Sequence, residues 1–172
     1  MITHIQSPNP HIEHAKLRAG GFTLVELLLV AVIVAIFAAI VVPGVLQQED
    51  DVRLAAAQHA VKTIQKAVDR EYSRTGQYPS AIDQRWFRNY KHPVNPYNPG
   101  FEGVTSNVWG NDGQYHPRWK TVESHDEPFY YNPTNGIVRV RVAEQATNAE
   151  TLALYNAANS SRVTSLSQTK PY

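Results

Sequence analysis

Residues 20–45 read GGFTLVELLLVAVIVAIFAAIVVPGV, a long apolar run that begins with two glycines. From Leu27 to Val45 no side chain is charged, and the nearest carboxylate is that of Glu26. A helix of this length measures about 28 Å at about 1.5 Å per residue, close to the thickness of the hydrocarbon core of a bilayer. The sequence therefore predicts a helix that can span a membrane.

The order of residues around this helix separates a retained helix from a cleaved signal peptide. A secretory signal carries its small-residue cleavage site after the apolar region, whereas the small pair Gly20-Gly21 comes before it here. Beyond the span, residues 43–48 read PGVLQQ and contain no A-x-A pattern. Removal of the helix is not predicted, and on hydropathy alone an uncleaved single-span anchor stays open.

Charged residues are distributed unequally on the two sides of the span. Lys16 and Arg18 precede it, whereas Glu49, Asp50 and Asp51 follow it. Because cytoplasmic flanks of membrane helices carry an excess of Lys and Arg, the N-terminus is predicted to be cytoplasmic and the rest of the chain to lie across the membrane.

The parts of residues 16–45 form a recognisable series: a basic leader, Gly20-Gly21, the run FTLVE from Phe22 to Glu26, an apolar helix, and Pro43. This series resembles the type IV prepilin class, which includes pilins and type II secretion pseudopilins. The resemblance implies that a prepilin peptidase cuts between Gly21 and Phe22 and leaves the helix in place. It also implies methylation of the new amine on Phe22.

Two interpretations of Glu26 remain open. A carboxylate at the edge of a membrane helix needs a partner or an aqueous route, because moving it to the bilayer centre costs about 2.5 to 3.5 kcal/mol. Glu26 could cap the N-terminus of its own helix. The resemblance implies instead that Glu26 attracts the amine of Phe22 on a neighbouring subunit and so sets the register of an assembling filament.

The helical pattern continues beyond the span. Apolar residues recur at Leu54, Val61, Ile64, Val68 and Tyr72, the spacing of a helix with one buried face. Pro43 lacks an N–H and clashes with the preceding turn, so a bend is predicted there. Gly76 fits the end of the helix.

The clearest strand pair follows much later. Residues 129–131 read FYY, residues 137–142 read IVRVRV, and the segment between them has turn chemistry. Alternation places Val138, Val140 and Val142 on one face, which is predicted to pack on the long helix. The fold class predicted is therefore α+β and pilin-like: a long N-terminal helix, with its first half in the membrane, packed on a small antiparallel β-sheet head.

Other segments give weaker signals. Residues 80–90 are predicted to form a short helix, and the three prolines of residues 93–99 an ordered loop. Residues 104–109 and 115–122 are predicted to form a hairpin around an Asp-Gly turn. A capping box from Thr147 to Glu150 opens a short helix that ends near Ala158.

These predictions divide the chain into four parts. Residues 1–21 form a cleaved leader, and residues 22–45 form the transmembrane and assembly half of the helix. Residues 46–158 form the extracytoplasmic head, beginning with the amphipathic helix 46–75. Residues 159–172, rich in Ser and Thr, form a flexible tail.

Composition excludes several function classes. The chain carries 16 Lys and Arg against 15 Asp and Glu, so it has no general basic surface for nucleic acid. Because it has no cysteine, it lacks disulfides, thiolate metal ligands and a thiol nucleophile. By resemblance, this sets the chain apart from pilins that are stapled by a C-terminal disulfide loop.

Catalysis and metal binding have little support in the sequence. Ser124, His125 and Asp126 are triad residue types, but neighbours in sequence point in different directions and cannot form a relay. No cofactor is predicted. Calcium, which the resemblance to major pseudopilins allows, would draw on a set that lacks the regular spacing of a known calcium loop: Asp112, Glu123, His125, Asp126 and Glu127.

The sequence thus predicts a structural protein that is not an enzyme: a subunit of a type IV pilus-like or type II secretion pseudopilus filament. Its partners would be a prepilin peptidase, other copies of itself or related pilins and pseudopilins, an inner-membrane assembly platform and the membrane. It would be a single-pass inner-membrane protein with a periplasmic head, and it could reach the cell surface in a filament.

A different class of function stays open as the alternative. The chain would then be a monomeric, membrane-tethered binding domain that forms no filament. Aromatic side chains would stack on a glycan or another ligand in that case, although in small domains such side chains more often form the core. The candidates are Trp86, Trp109, Trp119 and Tyr130.

Overall fold

A computed structural model describes residues 21–101, 103–106, 113–123 and 127–171, without the side chains of residues 41–47, 105 and 106. Residues 1–20 of the predicted leader, Trp109, Asp112 and residues 124–126 lie outside this description. The chain divides into two compact units, Met1–Pro43 and Gly44–Tyr172.

Helix α1 runs from Leu24 to Thr75 and contributes to both units. It ends at Gly76, which has a positive φ of 74° and donates its N–H to the carbonyl of Tyr72 at 2.7 Å. This is the predicted end of the helix. The bend predicted at Pro43 stays a prediction, because that side chain is not described. Within the described part of the chain, we find no helix whose length and apolarity suffice for a membrane crossing.

The sheet of the head has three strands, β1 (Thr105–Ser106), β2 (Phe129–Asn132) and β3 (Ile137–Val140). Strands β2 and β3 pair antiparallel, with Tyr130 opposite Arg139, and this confirms the predicted hairpin. Its turn needs Gly136, which has a φ of 71°. Together with α1 these strands give the predicted α+β architecture.

The core lies between the second half of α1 and the valine face of β3. Ala57, Ile64 and Val68 of α1 are buried in one cluster with Val138 and Val140, as the two periodicities predicted. Tyr72, the last member of the predicted apolar face, is instead partly exposed and stacks on Tyr78 with ring centroids 4.3 Å apart.

Side chains of both helices cover the outer edge of β3. Gln65 Oε1 accepts from the N–H of Val138 at 3.0 Å, and Asn159 Oδ1 accepts from the N–H of Val140 at 2.8 Å. The amide of Asn159 also donates to the carbonyl of Val140 at 2.9 Å. Because these backbone groups are engaged, this edge is not open to a further strand.

The hairpin predicted between residues 104 and 122 is wrong. Thr105 and Ser106 pair parallel with Tyr130 and Tyr131 of β2, so the sheet is mixed rather than purely antiparallel. Residues 115–122 form no strand, apart from a single parallel bridge between Thr121 and Val142. The His-Pro step at residues 116–117 cannot continue a ladder, because proline has no N–H to donate.

The helix predicted over residues 80–90 is also wrong. Two single 3-10 turns, Gln84–Trp86 and Arg88–Tyr90, replace it, separated by the extended residue Phe87. The predicted proline-rich loop is ordered, because Asn95 is buried and its amide donates to the carbonyls of Pro128 and Arg141.

Helix α2 runs from Asn148 to Asn159, and Thr147 and Glu150 form the predicted capping box. Residues 160–171, which we call the C-terminal strap, lie against the head instead of extending from it as a flexible tail. Val163 is buried in the core, and the carbonyl of Thr169 accepts from the N–H groups of Tyr115 and His116. These contacts tie the strap to residues about fifty positions earlier in the chain.

Candidate functional site

The start of α1 is built by a reciprocal capping box between Thr23 and Glu26. Thr23 Oγ1 accepts from the N–H of Glu26 at 3.3 Å. Glu26 Oε2 in turn accepts from the N–H of Thr23 at 3.2 Å and from its hydroxyl at 3.1 Å. A Thr at the N-cap and a Glu three residues later satisfy two backbone N–H groups that the first turn leaves without partners.

Of the two interpretations of Glu26, the structure of one copy shows the first, because its carboxylate caps its own helix. The hydrogen bonds of this cap are exposed, so the carboxylate lies at the surface of the helix end. Contact with the amine of another copy stays a prediction. The role of Thr23 was not predicted, although the spacing T-x-x-E at residues 23–26 is the capping-box signature.

The predicted cleavage position precedes this cap directly. A Cβ built on Gly21 would meet nothing within 4 Å, and the side chain of Phe22 is 74% exposed. The peptide bond between them therefore lies in an open segment before the helix. Nothing in the described chain packs against it, and cleavage at this bond and methylation of Phe22 stay predictions.

Large apolar side chains are exposed along the whole first part of α1. Leu27, Leu28 and Leu29 point in three different directions from the helix and are about equally exposed. The exposed apolar side chains therefore cover all sides of the helix. Monomeric soluble proteins seldom expose continuous apolar surface of this extent. The surface therefore requires a partner, either lipid or other protein. Its larger members are Phe22, Leu24, Val25, Leu27, Leu28, Leu29, Val30, Val32, Ile33, Val34, Ile36, Phe37 and Ile40.

The head holds two buried cations that carbonyl groups surround. Lys120 is 2% exposed, and its Nζ donates to the carbonyls of Pro117, Leu166 and Gln168 at 3.1, 2.8 and 2.7 Å. Arg141 is 1% exposed and donates to backbone carbonyls at 2.7 to 3.2 Å. Burial lowers the pKa of Lys120 to about 8 and also lowers the pKa of Arg141.

His116 lies next to Lys120 in this interior. Its Nδ1 is 3.0 Å from the hydroxyl of Tyr155, which is fully buried. Burial lowers the pKa of His116 to about 4, with smaller contributions from the charges of Arg139 and Lys120. Shifted pKa values can mark an active site, but these side chains are closed off from solvent and bonded to backbone and core groups. Their role is to hold the head together.

The candidate metal ligands are only partly described, because Asp112, His125 and Asp126 lie outside the description. Glu123 Oε2 accepts from the N–H of Glu144 at 3.0 Å and so supports the backbone. Among the described residues no three His, Asp or Glu side chains are placed to hold a metal ion. Calcium binding by this set stays a prediction of the resemblance.

The described aromatic candidates do not form one binding surface. Trp86 packs against the core cluster, and Tyr130 is buried with its hydroxyl 3.3 Å from the carbonyl of Gln114. Trp119 is about half exposed, and the guanidinium of Arg118 lies over its ring at 5.3 Å. The arrangement gives no support to a glycan-binding platform.

Comparisons with known proteins identify a match that includes the start of α1. Residues 16–42 match the model of the prokaryotic N-terminal methylation motif. The chain is 34% identical over 103 residues to the type II secretion system core protein G of Pseudomonas aeruginosa, an alignment that covers 56% of this chain and 72% of that relative. No solved structure matches the chain. The motif and this relative show that the chain belongs to the type IV prepilin-like family, which includes the pilins and the type II secretion pseudopilins.

Proposed function

We propose that the chain is a structural subunit of a filament of the type II secretion pseudopilus or type IV pilus kind, and not an enzyme. One observation carries this proposal: a capped helix start, directly after an open Gly-Phe bond, opens onto a long exposed apolar helix surface. A soluble enzyme or binding domain has no use for such a surface, whereas a subunit that moves from lipid into a bundle of like helices requires it.

Processing would generate the charge that assembly needs. Cleavage by a prepilin peptidase between Gly21 and Phe22 removes the basic leader and leaves an α-amine on Phe22, which the methylation motif marks for N-methylation. This amine is a cation four residues, about one helical turn, from the carboxylate of Glu26. Each processed copy thus carries one cation and one anion at the same end of its helix.

These two charges support a head-to-tail mode of assembly. When apolar helices pack side by side, a carboxylate among them needs a cation as partner. The amine of Phe22 on the next copy supplies it, and Glu26 then exchanges its bonds with Thr23 for an ion pair. Because the contact joins different surfaces of two copies, it does not close on itself and continues as a filament.

The apolar segment has a second role before assembly. We infer that residues 22–45 hold the subunit in the inner membrane, with the leader in the cytoplasm and the head in the periplasm, as Lys16 and Arg18 favour. The assembly platform in that membrane would then extract the subunit into the filament. The relative, a type II secretion system core protein, favours secretion as the process it serves.

The intact mass of the mature protein tests this proposal. The full chain is produced in its host with and without the host's prepilin peptidase gene, and the membrane fraction is analysed by mass spectrometry. We expect a chain that begins at Phe22 and carries one methyl group in the first strain, and an uncleaved chain in the second. An uncleaved chain in both strains, or cleavage after the apolar helix, would contradict the proposal.

A further inference from the structure

Three cations form a row on the side of α1 that faces away from the core. Lys62, Lys66 and Arg70 are exposed and follow one another at four-residue spacing, and we call them the basic row. On a helix this spacing places them above one another on one face. None of them forms an ion pair with a described residue.

Two acids lie on the same turns as this row. Asp69 Oδ1 accepts from the side-chain amide of Gln65 at 2.9 Å. Glu71 pairs with Arg74, with Oε1 and Nη2 2.6 Å apart. Neither acid forms an ion pair with the basic row, so the row of three cations keeps a net positive charge although Asp69 and Glu71 lie beside it.

An equal number of acids lies nearer the start of the same helix. Glu49, Asp50 and Asp51 are exposed, and we call them the acidic block. No ion pair joins them to a described residue either, and the one cation close to them in sequence is Arg53. Within the head unit, one helix therefore carries a row of cations on one face and a block of acids at three successive positions, and no ion pair joins either group to a described residue.

The two groups cannot meet within one copy. Fifteen residues of helix separate Asp51 from Lys66, which is about 22 Å at about 1.5 Å per residue. At physiological ionic strength, salt screens the interaction between exposed charges that are more than about 8 to 10 Å apart. At this distance the two groups therefore hardly interact. Neither group can therefore neutralise the other within one copy.

We propose that the basic row of one copy docks on the acidic block of a second copy that is shifted along the direction of α1. This deepens the proposed filament function and rests on it. The contact joins two different surfaces, so it continues from copy to copy in the same sense as the Glu26 contact. The separation of the two groups on the helix sets an axial stagger of about 20 to 25 Å between the docked copies.

Charge complementarity favours a second copy over other occupants. The same helix carries both charge groups, whereas a surface for nucleic acid or an anionic membrane is generally basic as a whole, and this chain is balanced at 16 basic against 15 acidic residues. Exposed pairs contribute only about 0.2 to 1 kcal/mol each, so the docking determines register and salt sensitivity more than it holds the filament together.

Crosslinking tests the contact directly, because the chain has no cysteine of its own. The full-length double variant Asp51→Cys/Lys66→Cys is produced in the native host, and intact cells are treated with a short bismaleimide. Within one copy the two thiols are too far apart for this reagent. We expect a ladder of dimers, trimers and longer products, whereas each single variant should give at most dimers.

Charge reversal gives a second test, with a matched control. Reversing the row (Lys62→Glu/Lys66→Glu/Arg70→Glu) or the block (Glu49→Lys/Asp50→Lys/Asp51→Lys) should each reduce sheared filaments about tenfold. Combining both sets in one chain should restore them, a recovery that a folding defect cannot produce. Reversal of the exposed cations Arg88, Arg162 and Lys170 is the control and should have no effect.

The outcomes separate this inference from the proposed function. Filaments that form without a ladder, or that form normally when only one group is reversed, overturn the docking and leave the filament intact. Loss that the combined reversal does not restore also overturns it. Absence of filaments from the unaltered chain overturns the proposed function itself.

Discussion

Glu26 Oε2 lies 3.2 Å from the backbone nitrogen of Thr23, and Thr23 Oγ1 lies 3.3 Å from the backbone nitrogen of Glu26. This reciprocal pair holds the carboxylate at the first turn of α1, next to the amine that cleavage before Phe22 would create. The cap and the proposed assembly contact thus use the same carboxylate in succession, first in a single copy and then between copies.

Variants of Thr23 should separate the cap from assembly. Thr23→Ala removes the N-cap acceptor and should destabilise the first turn by about 0.5 to 2 kcal/mol, while Thr23→Ser retains it. Amide hydrogen exchange of residues 24–27 should therefore be faster in Thr23→Ala than in Thr23→Ser. Both variants keep the charge of Glu26 and should still assemble. Equal exchange rates in the two variants would contradict the cap.

Gly136 should not tolerate a side chain. An added Cβ would clash with the ring of Tyr78, and the φ of 71° is itself unfavourable for other residues. Gly136→Ala should destabilise the head by about 2 to 4 kcal/mol, since backbone strain and overpacking add. Thermal unfolding of the full chain in mild detergent measures this effect. Gly100→Ala, where an added Cβ meets nothing within 4 Å, is the control and should leave Tm nearly unchanged.

His116 should make the stability of the head depend on pH. Its pKa is about 4 in the folded chain and about 6.5 when unfolded, so between these values the unfolded chain binds more protons. Stability contributed by neutral His116 is present above pH 6.5 and is lost as the pH falls toward 4. The slope is at most about 1.4 kcal/mol per pH unit.

Unfolding in urea at pH 7 and pH 5 measures this dependence. His116→Gln can still bond to Tyr155 but does not titrate, so the loss of stability at pH 5 should be smaller than in the unaltered chain. His59→Gln, at an exposed position on α1, serves as the control. An equal loss in His116→Gln and the unaltered chain would show that another group is responsible.

Lys120 should hold the C-terminal strap against the head. Lys120→Met keeps the apolar stem but leaves three carbonyls without their donor, and each unsatisfied buried group costs about 1 to 3 kcal/mol. We expect lower stability and rapid trypsin cleavage after Arg162, which lies in the strap. Lys66→Met, at an exposed position, is the control. Protection of Arg162 in Lys120→Met as strong as in the unaltered chain would contradict this role.

Local patterns predicted those parts of the fold that depend on near neighbours. The end of α1 at Gly76, the alternation of β3 and the capping box at Thr147 each follow from residues a few positions apart, and each is present. The same local rule would have found the cap between Thr23 and Glu26, since the spacing is identical.

Contacts over long sequence distances escaped prediction. Lys120 and Arg141 bond to backbone carbonyls 3 to 48 positions away. Because every residue has a backbone carbonyl, the sequence does not show which ones will accept these bonds. The polar residues of the strap therefore predict a flexible tail, although its backbone packs against the head. The parallel pairing of Thr105 with Tyr130 was not predicted either, because a strand of two residues is too short to show a periodicity.

Filament yield of Glu26→Gln tests whether subunits assemble through the carboxylate of Glu26. Gln at this position can still complete the capping box with Thr23, but it carries no charge for the amine of a neighbouring copy. Cells producing the unaltered chain or Glu26→Gln are sheared, and filaments in the released fraction are imaged and quantified by immunoblot. We expect filaments from the unaltered chain, and from Glu26→Gln a processed, membrane-bound protein without filaments. Equal amounts of filament from both chains would contradict assembly through Glu26, and absence of filaments from the unaltered chain would contradict the filament function.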